Sequence, residues 1–186
     1  SARGITKVLD ALEFVPDRYG VRLQLGGNFS PASYERELKN HPKWNQVDFH
    51  GFMDRSQMLE VFSQSKIGLV LYQPTPNNMV TSANKVFESM GAGLPVLASN
   101  FKTRIEVIER LNCGQTVDPT SATAIAETLI EMLDDVQSLE RQGMSGARAV
   151  DREFNCENEL QTLVGLYAKI APSSFKAFTK KVGQSA

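Results

Sequence analysis

Cysteine is scarce in this chain: Cys113 and Cys156 are the only two among 186 residues, and their spacing fits neither a metal motif nor a redox pair. Both are expected as buried, reduced thiols. An excess of charge is also missing. Twenty Lys and Arg against 21 Asp and Glu leave a net charge of -1, which gives no general attraction to nucleic acid or to an anionic bilayer. No apolar run is long enough to span a membrane and no signal peptide opens the chain, so a cytoplasmic setting is expected. Asp134-Asp135 ends a helix and resembles a metal motif only superficially, and no Ser/His/Asp or Cys/His set follows from the spacing. Internal repeats and low-complexity tracts are absent as well.

What remains is an ordinary globular composition, 41% hydrophobic and 22% charged, in a length that fits one domain with a substantial core. Residues 5–12 carry an i, i+3, i+4, i+7 apolar stripe and read as a helix ending near Pro16. The apolar run at residues 67–72 reads as a strand buried on both faces, and residues 21–25, 47–50, 95–98 and 115–118 read as further strands. Helices are expected between them: one starting at Pro31, one capped by Asp54, one over 83–92, and one over 104–111 that stops at Gly114. After the last strand come helices starting at Thr120 or Ser121, over 136–153 and over 157–170. Residues 172–186 lack periodicity and are expected to form a flexible tail, so the domain is taken as residues 1–171.

Strands alternating with helices over short loops argue for an α/β fold, a Rossmann-like doubly wound parallel sheet with helices on both faces. In the order 3-2-1-4-5-6 the central strand comes first in sequence. No strand precedes residue 5, so the first central strand is expected to be missing from the chain.

The richest stretch spans residues 81–100, Thr-Ser-Ala-Asn-Lys-Val-Phe-Glu-Ser-Met-Gly-Ala-Gly-Leu-Pro-Val-Leu-Ala-Ser-Asn, a loop, helix, tight turn and buried strand in succession. In open α/β sheets a ligand lies beyond the carboxyl ends of the strands, where helix N-termini present unpaired N–H groups. Ser82 is the expected N-cap, which puts the amides of Thr81, Ser82 and Ala83 at an anion-attracting helix start. Asn84 and Glu88, four apart, share a face. Lys85 is either a phosphate ligand or a solvated helix residue. Gly26-Gly27 after the first strand suits a close approach of backbone to a phosphate, as it suits any strand-to-helix turn. His50-Gly51-Phe52 makes the corresponding turn after the second strand, with no chemical role assigned to His50.

The run from Asn84 to Ser99, with Lys85, Glu88 and Met90-Gly91-Ala92-Gly93-Leu94-Pro95-Val96, resembles the donor-site signature of the C-terminal domain of family 4 (group 1) glycosyltransferases. These are retaining enzymes with the two-domain GT-B fold, and the resemblance runs from Arg3 to Tyr167. It implies transfer of a sugar from a nucleoside-diphosphate sugar to an acceptor hydroxyl, in glycan or polysaccharide biosynthesis, without a metal or other cofactor. It implies that Glu88 holds the ribose hydroxyls, that Arg3 matches the basic position of a Lys-Gly turn touching the diphosphate, and that Gly26, Gly27, Gly51 and Phe52 lie at the donor cleft. The acidic residue usual eight positions before this glutamate is Val80 here.

The implied partners are the nucleotide sugar, a glycan or lipid-linked acceptor, and an N-terminal acceptor domain of the same polypeptide, without which the chain is expected to be inactive. Membrane association, if any, would be peripheral, at the inner face and through parts outside this chain. Catalytic residues on the acceptor side lie outside it too. A GT-B nucleotide-sugar epimerase and a non-catalytic nucleotide-sugar-binding scaffold are the alternatives.

Overall fold

The computed structural model describes residues 3–171; the expectation of a flexible tail falls outside them. The chain divides into two compact units, Ser1–Ala149 and Val150–Ala186. That boundary falls inside a long helix, whereas the sequence reading carried one domain to residue 171.

Five short strands form in the first unit: β1 (Leu23–Gly26), β2 (Val47–Gly51), β3 (Gly68–Val70), β4 (Val96–Ser99) and β5 (Gly114–Val117). All pairings are parallel, β1 with β2 in one sheet and β3, β4, β5 in that order in another. Every residue of β4 is buried, as a continuous apolar run between two helical layers requires. Among the described residues β1 and β3 pair with no strand on their other edges, and the expected central strand would stand between them.

Helix α1 (Ile5–Leu12) buries Val8, Leu9, Ala11 and Leu12 in one core with Leu97 of β4 and with Ile125, Leu129 and Met132 of α7 (Ala122–Asp134). Each fully buried leucine there is worth about 2 kcal/mol of transfer free energy. The remaining helices of this unit are α2 (Ala32–Lys39), α3 (Arg55–Gln64), α4 (Pro76–Val80), α5 (Asn84–Gly91), α6 (Lys102–Leu111) and α8 (Val136–Arg152), the last running past the boundary. In the second unit α9 (Cys156–Ile170) starts from Asn155, whose side chain accepts from the Asn158 amide.

Local chemistry explains several boundaries. Asp54 caps α3 in a reciprocal box: its carboxylate accepts from the Gln57 amide at 2.9 Å, and the Gln57 side chain accepts from the Asp54 amide at 3.0 Å. Ser121, one of the two expected starts, caps α7 by accepting from the Ala124 amide at 3.1 Å.

Three expectations are corrected. Helix α5 is capped by Ala83, with no side-chain cap, rather than by Ser82. The preceding loop contains the short helix α4, announced only by Thr75-Pro76: the Thr75 hydroxyl accepts from the Asn78 amide, and Pro76 occupies the first turn, where its missing N–H costs nothing. Cys113 is buried as expected, but Cys156 is exposed. No helix among the described residues is long and apolar enough to cross a membrane.

Candidate functional site

The carboxyl ends of β1 and β3 and the starts of α1 and α5 open onto one cleft of about 600 Å³. Gly4 sets the start of α1. Its backbone is left-handed at φ 68°, and a Cβ there would stand 2.0 Å from the Leu71 carbonyl oxygen just past β3. Only glycine permits both the conformation and the approach.

Arg3 is thereby held over Tyr72. Its Nη1 donates to the Tyr72 hydroxyl at 2.6 Å, and the guanidinium carbon lies 5.0 Å from the ring centroid. Across the cleft, α5 brings Lys85 and Glu88 to the lining, both exposed. Gly26 lines the same cleft and is closed over Met53, whose Cε would meet a Cβ at 2.1 Å. Of the expected binding residues, Arg3, Gly26, Lys85 and Glu88 therefore meet in one cavity.

The others lie outside this lining. Gly27 and Gly51 join the two turns after β1 and β2, the Gly27 amide donating to the Gly51 carbonyl at 2.6 Å, and both have positive φ. Phe52 follows with 79% of its surface exposed. His50 is tied to the Gln24 side chain at 2.7 Å. Thr81, Ser82 and Ala83 connect α4 to α5, and the Thr81 amide already donates to the Asn77 carbonyl. That hydrogen bond removes Thr81 from the amides expected to meet an anion.

The sequence reading missed Arg104. In the first turn of α6 it is only 2% exposed, with its guanidinium carbon 4.9 Å from the ring centroids of both Tyr72 and Phe101. Its Nη2 donates to the Asn78 carbonyl at 3.3 Å, while Nε and Nη1 have no hydrogen-bond partner among the described residues. Burial pushes the guanidinium below its ordinary pKa, and Tyr72 acts in the opposite direction. Position offered a signal: an arginine in the first turn of a helix that follows the carboxyl end of β4. Gln73 braces the same region by donating to the Pro119 carbonyl at 2.7 Å.

Chemically, the cleft sets Arg3, Lys85 and Glu88 near two helix starts at the rim of a largely apolar space, with Arg22 and Lys66 also in its lining. Cations and helix amides suit a polyanion, and a carboxylate suits paired hydroxyls. No cluster of three or more metal-ligating side chains occurs among the described residues.

Residues 1–148 match the family described as Glycosyl transferases group 1. The chain belongs to that family. Its fold is similar to sucrose-phosphate synthase from Thermosynechococcus elongatus at 22% identity and TM-score 0.77, covering 91% of this chain and 42% of that one. A glycosyltransferase from Rickettsia africae is similar at 18% identity and TM-score 0.80, covering 93% and 46%. Anabaena Alr3699/HepE, solved in complex with UDP, is similar at 20% identity and TM-score 0.78, covering 91% and 46%. No curated protein sequence matches significantly.

The group 1 glycosyltransferase chain thus spans less than half the length of these structures, and its fold is the Rossmann-like C-terminal domain of the GT-B type. The parallel strands with helices between them agree with the fold expected from the sequence.

Proposed function

We propose that this domain holds the donor of a retaining glycosyltransferase, a nucleoside-diphosphate sugar whose sugar passes to an acceptor hydroxyl in glycan or polysaccharide assembly. The observation that carries the reading is the convergence of Arg3, Lys85 and Glu88 on one cleft beside the starts of α1 and α5. Arg3 and Lys85 hold the diphosphate together with the first amides of α5, and Glu88 accepts hydrogen bonds from the ribose. Gly51 and Phe52 border the base. Crystals of the similarly folded Alr3699/HepE contain UDP or UDP-glucose, and that ligand class supports the reading.

In this picture the rate enhancement is electrostatic. Negative charge gathers on the leaving diphosphate as the glycosidic bond breaks, and fixed donors around it stabilise that charge without solvent reorganisation. Charge neutralisation by side chains and helix amides makes a metal unnecessary. The acceptor side comes from another part of the polypeptide, so this domain alone binds donor and transfers none.

A non-catalytic nucleotide-sugar scaffold is the second reading, favoured by Val80, 73% exposed at the position where the family usually has an acid. A calorimetric panel of UDP, GDP, ADP and their sugars, with Glu88→Ala alongside, tests donor binding. Selective binding of one nucleotide that is lost in Glu88→Ala supports the site; a folded protein that binds none refutes it. Transfer assays on the polypeptide carrying both GT-B domains separate transferase from scaffold and from epimerase.

A further inference from the structure

Helix α6 begins just after β4 ends, and Arg104 lies in its first turn. Side chains on a helix lean toward its N-terminus, so the Arg104 guanidinium reaches back over Phe101, the residue that caps α6. Strand β3 runs parallel to β4 with Val70 beside Ala98, which brings Tyr72 and Phe101 out at the same end of the sheet. The guanidinium carbon of Arg104 accordingly lies 4.9 Å from the centroid of each ring.

Tyr72 is fixed from the core side. Ser99, fully buried, donates from its hydroxyl to the Tyr72 carbonyl at 2.8 Å. Arg104 packs on the ring and donates through Nη2 to the Asn78 carbonyl at 3.3 Å, while the Asn78 side chain donates to the Gln73 carbonyl at 2.9 Å. One guanidinium thus holds both ends of the segment 72–78. Among the described residues no carboxylate pairs with it, and two of its nitrogens lack a partner. As a stabilising device such a buried cation is poor, because its lost hydration is not repaid.

What it does hold is the ring that Arg3 uses. The Tyr72 hydroxyl accepts from Arg3 Nη1 at 2.6 Å, with the Arg3 guanidinium carbon 5.0 Å from the same centroid. Arg3 lines the cleft, whereas Tyr72 and Arg104 do not. Cation–π attraction is strongest where water is excluded, so the buried Arg104 pins the ring more firmly than the exposed Arg3 can.

We propose that Arg104 is a positioning residue for the diphosphate site, fixing the Tyr72 ring so that Arg3 is presented to the cleft in one orientation. The identity of the ligand rests on the donor-site reading; the link from Arg104 through Tyr72 to Arg3 rests on geometry alone.

Arg104→Met, which keeps the volume and loses the planar cation, tests the link first without a ligand. Side-chain 15N relaxation should show an ordered Arg3 Nε–H group in the parent and an order parameter below about 0.6 in the variant. An Arg3 already that mobile in the parent, or equally ordered in both, overturns the proposal. Should Arg104→Met not fold, Arg104→Lys replaces it: the charge stays, the plane that meets both rings goes, and the same loosening of Arg3 is expected. The second measurement is calorimetric titration with whichever of UDP, GDP or ADP binds the parent. Arg104→Met should weaken binding about fivefold or more, and should cost less than about twofold when added to Arg3→Ala, because residues acting in series are not additive. Unchanged affinity, or an equal loss in both backgrounds, overturns the proposal, since a merely structural Arg104 would act independently of Arg3. If no nucleotide binds the folded parent, the donor-site reading falls, and the relaxation data alone decide whether Arg104 positions Arg3.

Discussion

Arg3 and Tyr72, 69 positions apart in sequence, are joined by a 2.6 Å hydrogen bond from Nη1 to the phenol oxygen, with the guanidinium stacked 5.0 Å from the ring centroid. A guanidinium fixed in this way loses less freedom when it meets a phosphate than one moving in solvent. Arg3→Ala should therefore weaken nucleoside-diphosphate binding about tenfold to a hundredfold, the range for a charge-assisted hydrogen bond. Tyr72→Phe, which keeps the ring, should cost less. Isothermal titration of both variants checks the order.

Glu88 is exposed and lines the cleft, so its removal should affect ligand and not fold. Glu88→Gln should leave unfolding free energy within about 0.5 kcal/mol of the parent while lowering nucleotide affinity. Denaturant melts and titration, run on the same preparation, separate the two effects.

Gly4 combines φ 68° with a carbonyl 2.0 Å from any added Cβ. Gly4→Ala should destabilise by about 2–4 kcal/mol, combining left-handed strain with a backbone overlap. Chemical denaturation measures the loss.

Arg104 gives a prediction with two signs. A buried guanidinium with two unpartnered nitrogens carries a desolvation penalty that an apolar side chain of similar volume avoids. Arg104→Met should be neutral or stabilising by about 1 kcal/mol, whereas Arg104→Ala leaves a cavity and should cost about 3 kcal/mol. Thermal unfolding of the pair decides it.

Asp10 contributes a pH-dependent term. Burial raises its pKa, but hydrogen bonds from Lys7 at 2.9 Å and His41 at 3.2 Å more than offset this, leaving the carboxyl below its ordinary value. His41 Nδ1 accepts from the Lys43 amide, so Nε2 carries the proton it shares with Asp10. A lowered folded-state pKa gives stability that is complete above the unfolded value of about 3.9 and is lost as pH falls through the folded one. Asp10→Asn should be less stable than the parent at pH 7, and the gap should close in acid melts below about pH 4.

Much of the fold was legible in the residues. All five strands lie within about two residues of their expected positions, and β3 and β4 are the plainest because strands buried between helices leave little polar signal to blur the pattern. Asp54, Ser121 and the Gly-Leu-Pro turn after α5 set their boundaries through short-range hydrogen bonds and backbone limits that local sequence carries. The α4 helix was not legible, since five residues show no periodicity, nor was the Ala83 cap, which has no side-chain acceptor to reveal it.

By itself, then, the sequence determined the order of strands and helices, most helix ends and the motif around Glu88, since each depends on interactions within a few residues. Tertiary structure alone decided that Arg3, Lys85 and Glu88 share a cleft while Phe52 stays outside its lining, and that the Thr81 amide is already engaged. It also buried Arg104 between Tyr72 and Phe101. Those outcomes depend on contacts between segments distant in the chain, formed when the helical layers close over the sheets, and no local pattern encodes which side chains then meet.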